Sequence, residues 1–348
     1  MKQTMRRLLS LILALLLLVP GLSAGEAAEM EEVEDYAPES AAVEEKDGYH
    51  FDARGFLVGE NPGGEYMLED EKNGIWQYAS KDLAIRVTRY REKLKKNKKT
   101  DEYCVAEIWC SESSPLGAFM TDRGFYKKDP APGLQQQKPS VLMQQHPSVF
   151  CVSDDMYGLR KTPVSGGKTK YDYHGVIIRY GEVLATKTRK SPEEGKKDKR
   201  PWPNLDTLAV YQDGSMKTFV SGDRTAEEYL ADGAVHVFAF GPWLISGGEV
   251  NPALYDAKYY PSNEPRIAIG MIEPYHYIII GHAGRPKEKY AGTKLLWMAE
   301  KMKEYGCTEA LNLDGGATVV MAFNNKIILQ GDYSGERNIG SMIAFGIK

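Results

Sequence analysis

The residues of this chain that could do chemistry gather in its last third. Asn312-Leu313-Asp314-Gly315-Gly316 ends an apolar run with a carboxylate and two glycines. Glycines at such a place permit positive φ and let a ligand approach main-chain N–H groups, so Asp314 is suited to acid–base work or to orienting a ligand. An Asp-Gly turn in an ordinary hairpin is the alternative reading. Upstream, Arg266 precedes one apolar run, and Arg285 follows the next through Gly281-His282-Ala283-Gly284. Two guanidinium forks at the ends of adjacent strands could grip one phosphate, or each could make a structural ion pair. His282 could act as a general acid or an orienting donor, although a lone His in a glycine-rich loop is more often neither. Glu336-Arg337 follows the flexible Tyr333-Ser334-Gly335. His146, His174, His236 and His276 show no ligand spacing.

These residues need strands to hold them. Ile267 to Met271 and Tyr277 to Ile280 read as buried strands, Ala310 to Leu313 as a third, and Ser341 to Ile347 as the last. Val319 to Phe323 is expected to pair with Lys326 to Leu329 across Asn324-Asn325, since Asn tolerates positive φ. Gly292 to Tyr305 is the one convincing helix, with Leu295, Met298, Ala299 and Met302 on one face and Gly306 as its cap. Earlier, Ser148 to Val152 reads as a buried strand ending at Asp154-Asp155. Gly175 to Tyr180 and Val183 to Thr188 flank Gly181, and Thr207 to Tyr211 and Met216 to Val220 flank Asp213-Gly214, a two-residue hairpin signal. Val235 to Phe240 is a further strand before Gly241-Pro242-Trp243. Pro130 to Pro139 and Ser191 to Pro203 read as loops. Ala84 to Tyr90 and Tyr103 to Trp109 alternate as half-buried strands around Arg91 to Lys99, read as a solvated hairpin tip in preference to a polyanion contact. Strands dominate and helices are few, so the expected fold class is α+β.

The N-terminus sets the expected compartment. Lys2, Arg6 and Arg7 precede an apolar run from Leu8 to Val19, which Pro20-Gly21 breaks before Ser23-Ala24. That is the layout of a Sec-type signal peptide over residues 1–24, with an uncleaved anchor as the alternative and the only expected membrane contact. Residues 25–48 are rich in Glu and Ala and read as a disordered acidic linker. Residues 49–145 then form a strand-rich lobe or extension, and residues 146–348 the main domain. The chain has 21 tyrosines and a net charge of −4, which argues against nucleic acid as the main partner. Cys104, Cys110, Cys151 and Cys307 form no metal motif and are expected as buried free thiols.

Several segments together resemble the phosphodiester glycosidase family, many of whose members are exported bacterial proteins linked to exopolysaccharide. Cys151 to Gly158, with Asp155 in place, resembles the family's Asn-Gly-Asp-Phe-Tyr type segment. Gly241-Pro242-Trp243-Leu244-Ile245 resembles its Gly-Pro-x-Leu element, and Pro265 to Gly270 its Pro-Arg-Thr-Ala-Ile-Gly element. Gly284-Arg285, Ala310 to Gly316 and Glu336-Arg337 follow in order. Where the family continues Asp-Gly-Gly with Gly-Ser-Ser, this chain has Ala317-Thr318-Val319, and Ser153-Asp154 stand where Asn-Gly are usual.

The resemblance implies an exported hydrolase that cleaves the glycosidic bond of a sugar-1-phosphodiester, with an envelope or phosphate-containing glycan as partner. It implies Asp314 and Asp155 as the catalytic carboxylates, with Arg266, Arg285 and Arg337 on the phosphate. Asn312, Thr318, His282 and the Gly315 and Gly316 amides would orient the substrate. No cofactor is required by the sequence, although a divalent cation bridging Asp155 and Asp314 is conceivable. Two alternatives stand beside this one: a non-catalytic sugar-phosphate or polysaccharide-binding envelope protein, and an enzyme confined to wall or capsular polymers.

Overall fold

The computed structural model describes residues 44–121, 136–155, 160–164, 168–172, 175–189, 202–285, 289–333 and 335–348. The expected signal peptide, most of the acidic linker and most of the Ser191 to Pro203 loop lie outside them. Among the described residues no helix is long and apolar enough to cross a membrane.

Three antiparallel sheets enclose one main core. The largest has nine strands, in the spatial order Glu249–Val250, Trp243–Ser246, Glu309–Asn312, Arg266–Glu273, His276–His282, Thr100–Cys110, Leu83–Lys93, Ile75–Ala79 and Tyr66–Asp70. A five-stranded sheet runs Lys326–Gln330, Val320–Phe323, Ser148–Ser153, Ser341–Ile347 and Gly117–Met120. A second runs Glu182–Lys187, Gly175–Arg179, Ala234–Phe240, Asp206–Tyr211 and Met216–Phe219. Ile269, Ile279, Leu311 and Ile108 from the nine-stranded sheet meet Phe150, Val152, Met321 and Phe345 of the first small sheet and Leu208 and Phe238 of the second. Sheet stacked on sheet explains why these strands read as continuous apolar runs.

Each sheet carries a short helix on its outer face. Leu295–Glu304 lays Leu295, Met298, Ala299 and Met302 on Ala268, Ile278 and Ile280 of the large sheet. Pro139–Gln145 buries Leu142 and Met143 against Cys151 and Val320. Ala226–Ala231 buries Ala226 and Tyr229 against Val176 and Val237. Its start is fixed by a capping box, in which Thr225 and Glu228 exchange side-chain to backbone hydrogen bonds. The α+β class is therefore the one found.

Several boundaries differ from expectation for identifiable reasons. The C-terminal helix begins at Leu295 because Gly292 has φ +68° and Thr293 is still paired with Glu264. Helix Pro139–Gln145 stands at the end of a stretch read as loop; at 7 residues it is too short to show a 3.6-residue period. The Asp213-Gly214 hairpin closes one residue wider than a two-residue turn, through Gln212, since Tyr211 N–H bonds to Ser215 O at 2.9 Å. Asn324 and Asn325 both take positive φ, as a primed turn requires. The first described strand, Glu44–Lys46, pairs with Tyr49–Phe51 inside the stretch expected as linker. Residues 66–120 form no separate lobe: Thr100–Cys110 pairs with His276–His282 in the middle of the large sheet, and Gly117–Met120 pairs with Ser341–Ile347.

All four cysteines are buried and unpaired. Burial pushes the thiols of Cys104, Cys151 and Cys307 up to about 12 and that of Cys110 higher still. The thiolate is the reactive form, so native protein should resist a thiol reagent at pH 8 and take up four equivalents once unfolded. A titration that labels fewer than four in denaturant would reveal a disulfide instead.

Candidate functional site

The site forms where the strand Glu309–Asn312 runs out. Leu313 N–H bonds to Ile267 O at 2.9 Å and Gly316 N–H to Pro265 O at 2.9 Å, so the chain at Asp314 runs beside Arg266. Asp314 itself is buried, at 5% exposure. The two glycines are required by close approach. A Cβ on Gly315 would lie 2.7 Å from Pro265 O, and one on Gly316, where φ is +67°, would lie 2.8 Å from the Arg285 guanidinium. Gly316 to Thr318 then make a single 3-10 turn.

Three arginines converge on this turn. Arg266 passes under Gly315, sits 5.2 Å from the Trp202 ring centroid and donates to Ser262 O at 3.2 Å. It is 5% exposed, and among the described residues no carboxylate lies within ion-pair distance of it. Its Nε is buried without a hydrogen-bond partner there. Burial pulls its guanidinium down to about 10, against a smaller opposing attraction to Glu264. Arg285 is more open, with Glu264 at 3.5 Å and Asp332 at 3.8 Å, both beyond good hydrogen-bond length. Arg337 extends Nη1 to within 3.5 Å of Thr318 Oγ1. Its neighbour Glu336 instead accepts from Ser140 N–H at 2.9 Å, at the start of helix Pro139–Gln145. Arg266, Arg285, Gly315, Gly316, Thr318 and Arg337 are thus brought together around the Asp314 turn.

Asp155 lies behind this cluster in a buried ionic knot. Its side chain and that of Arg179 are both fully enclosed, and the two are ion-paired. The other Asp155 oxygen accepts from Ala239 N–H. Arg179 also donates to Asp154 Oδ2 at 3.2 Å, to Val237 O at 2.7 Å and to Ile178 O at 3.0 Å, over the face of Phe238. Ser341 Oγ–H donates to Asp154 as well, and Asp154 O accepts Asp314 N–H at 3.0 Å. Burial, more than any neighbouring charge, raises the Asp155 carboxyl to about 6; repulsion from Asp154 adds to the rise, and Arg179 opposes it.

Asp155 is therefore turned away from the cluster and not exposed to a substrate as the family resemblance implied, and Asn312 and His282 also face other partners. Asn312 is fully buried and donates from Nδ2 to Gly241 O at 3.0 Å and Leu313 O at 2.9 Å, clamping the Gly241-Pro242 corner. Its Oδ1 has no partner among the described residues. His282 is the cross-strand neighbour of Arg266, yet its Nδ1 bonds to Ala283 O at 2.7 Å and its Nε2 faces Asp101 Oδ1 at 3.0 Å. Its ring stacks on Tyr103 and meets the edge of Trp297, so both nitrogens are occupied within the fold. Arg179 was not legible as a site residue, although it is the one charge in the apolar run Gly175 to Tyr180, and a lone charge in a buried strand is itself a signal. Among the described residues no group of three His, Cys, Asp or Glu side chains could hold a metal ion, and Asp155 has both oxygens committed to N–H donors.

Comparison with known proteins bears on the fold and the family. The solved structure of the zebrafish N-acetylglucosamine-1-phosphodiester alpha-N-acetylglucosaminidase catalytic domain, auto-inhibited by its pro-peptide, superposes with a TM-score of 0.53 at 13% identity, covering 83% of this chain and 90% of that one. At that identity the likeness is one of fold. A hypothetical protein from Synechocystis reaches a TM-score of 0.45 at 11% identity, over 79% of this chain and 64% of the other. In sequence, the SPbeta prophage-derived uncharacterized protein YomE of Bacillus subtilis (strain 168) is 26% identical over 149 residues, 42% of this chain; the chain spans 23% of that relative's length. The family model described as phosphodiester glycosidase matches residues 161–346, just over half of the chain and inclusive of Asp314 and the three arginines. By that match, the chain belongs to the phosphodiester glycosidase family.

Proposed function

We propose that this protein is an exported hydrolase that cleaves the glycosidic bond of a sugar-1-phosphodiester. The observation that carries the reading is Arg266, a buried guanidinium with no carboxylate in ion-pair reach among the described residues, placed beside the Asp314 turn. A buried unpaired cation is costly, and an anionic ligand is the natural partner for it. Arg285, whose own carboxylates stand off at 3.5 Å and 3.8 Å, and Arg337 complete a fork for phosphate oxygens.

The charge balance of the reaction fits such a cluster. A phosphodiester carries one negative charge, and its phosphomonoester product carries up to two. As the bond from the sugar C1 to the phosphate oxygen breaks, that added charge grows on oxygens held by the arginines, which lowers the barrier selectively. Asp314 is assigned to the sugar side, where it supports the oxocarbenium-like centre or takes a proton from the attacking water. The Gly315 and Gly316 backbone leaves room for the substrate to approach. Asp155, enclosed and with both oxygens engaged, acts by position: with Arg179 and Asp154 it fixes the strand end that bonds to Asp314 N–H. Export, and action on envelope glycans, follow from the signal-peptide layout of residues 1–24.

One observation favours a second reading, a binding protein without turnover. Val319, where the family has a hydroxyl, points into the core, so Thr318 supplies the only side-chain hydroxyl of the turn.

Three outcomes test these assignments. Asp314→Asn should lower sugar release from a panel of sugar-1-phosphodiesters by about 10²-fold or more while the melting temperature stays close to that of the wild type. Binding without release in the wild type, unchanged in that variant, would establish the second reading. Arg266→Met should abolish turnover yet raise the denaturant midpoint, because it removes an uncompensated buried charge of similar volume; inorganic phosphate should raise the melting temperature of the wild type and leave the variant unmoved. For Asp155, a folded value of about 6 lies above the ordinary 3.8, so the folded state holds the extra proton between them. Stability owed to that proton is present below about pH 4 and is lost as pH rises through 6. Relative to Asp155→Asn, the wild type should therefore lose stability from pH 4 to 6 in chemical denaturation; a constant difference across that range would overturn the assignment.

A further inference from the structure

The strands Leu83–Lys93 and Thr100–Cys110 meet at a tip that the reading above leaves unused. Over residues 91–99, six cations and one acid leave a surplus of five positive charges in a chain whose net charge is −4. Arg91 is committed to the buried Glu102. Lys93, Lys95, Lys96 and Lys98 are exposed, and no carboxylate lies within ion-pair distance of them among the described residues. The tip is a formed turn, with Leu94 N–H to Lys99 O and Lys98 N–H to Leu94 O both at 2.9 Å, so the mutual repulsion of these ammonium groups is held in place by the fold.

Its location matters more than its charge. Thr100 N–H bonds to Lys289 O at 2.8 Å and Ala291 N–H to Thr100 O at 2.9 Å, while Arg285 N–H reaches Tyr290 O at 3.3 Å. One short segment therefore separates the base of the hairpin from the phosphate fork, and it carries a further cation, Lys289, over the Tyr290 ring. A small diester carries one negative charge, which the arginine cluster already meets without a second basic surface. We propose that the hairpin is an accessory subsite for the neighbouring phosphate groups of a polymeric glycan, one whose reactive diester lies at Arg266 and Arg285. This rests on the phosphodiester reading of that cluster and extends it to a substrate class, a polymer of repeating sugar-phosphate units. The tip has only the half-buried Leu94 to offer an apolar surface, which disfavours a membrane, and residues 91–99 carry no aromatic side chain on which a base could stack, which disfavours single-stranded nucleic acid.

The test compares the wild type with a variant carrying Lys93→Ser, Lys95→Ser, Lys96→Ser and Lys98→Ser, all at exposed positions. Two substrates are offered, a glucosyl-1-phosphate methyl diester and a polymer of repeating sugar-1-phosphate units. The expected result is a KM for the polymer raised at least about tenfold, with a steep loss of wild-type affinity between about 50 and 200 mM salt, and unchanged kinetics on the methyl diester. Equal polymer KM in both proteins would overturn the accessory subsite and leave the enzymatic reading intact. If neither substrate is cleaved, the enzymatic reading fails on its own, and retention on immobilised polymer still decides the subsite: it holds if the wild type is retained and the variant is not, and falls if both behave alike. Wild-type binding to a DNA oligonucleotide or to phosphatidylglycerol vesicles as tight as to the polymer would also overturn it, in favour of a general anion surface.

Discussion

The site depends on one buried ionic knot, Arg179 between Asp154 and Asp155. Arg179 comes from one small sheet, Asp154 and Asp155 end a strand of the other, and Asp154 O takes the Asp314 N–H that leaves the large sheet. Three sheets are thus fastened at a point, and that point is the floor beneath the Asp314 turn. Two carboxylates share the one Arg179 guanidinium there. Ala239 N–H and Ser341 O–H add neutral donors to these carboxylates. Removing one member would strand a charge in the core at a cost of about 3–5 kcal/mol, whereas an apolar replacement of all three could be nearly neutral. The knot is therefore better understood as fixing geometry than as supplying stability.

A cationic cluster faces it. Among the described residues Arg266 has no carboxylate within ion-pair distance, and Arg285 holds its two at 3.5 Å and 3.8 Å. Carboxylates below the turn and guanidinium groups around it suit a ligand with an anionic end and an electron-poor centre. A sugar-1-phosphodiester approaching C–O cleavage has this character.

Much of this was legible in the sequence, and the exceptions have physical causes. Alternation and apolar runs located the strands around Arg266, His282 and Asp314, because each is buried on one or both faces. The Asn324-Asn325 turn and the Leu295–Glu304 helix carry strong local chemistry. By contrast, the pairing of Thr100–Cys110 with His276–His282 is set by tertiary packing and leaves no mark in either segment alone. The same is true of Arg179, whose meaning appears only when Asp154 and Asp155 are brought to it from 25 and 24 positions away. His282 was attractive as a donor in a glycine-rich loop, yet its ring spends both nitrogens on Ala283 and Asp101.

The central place of Thr100–Cys110 in the large sheet bears on how the chain is made. Its partner His276–His282 lies 169 positions later, as counted from Glu107 to His276. During synthesis the first four strands of that sheet would emerge with a long, naked edge and no neighbour to cover it. An exposed edge of that length is an invitation to pair with another chain. A polypeptide with this wiring is best kept extended until its last third is available, then allowed to collapse in one step. Such a topology suits a molecule whose folding is postponed until translation is over.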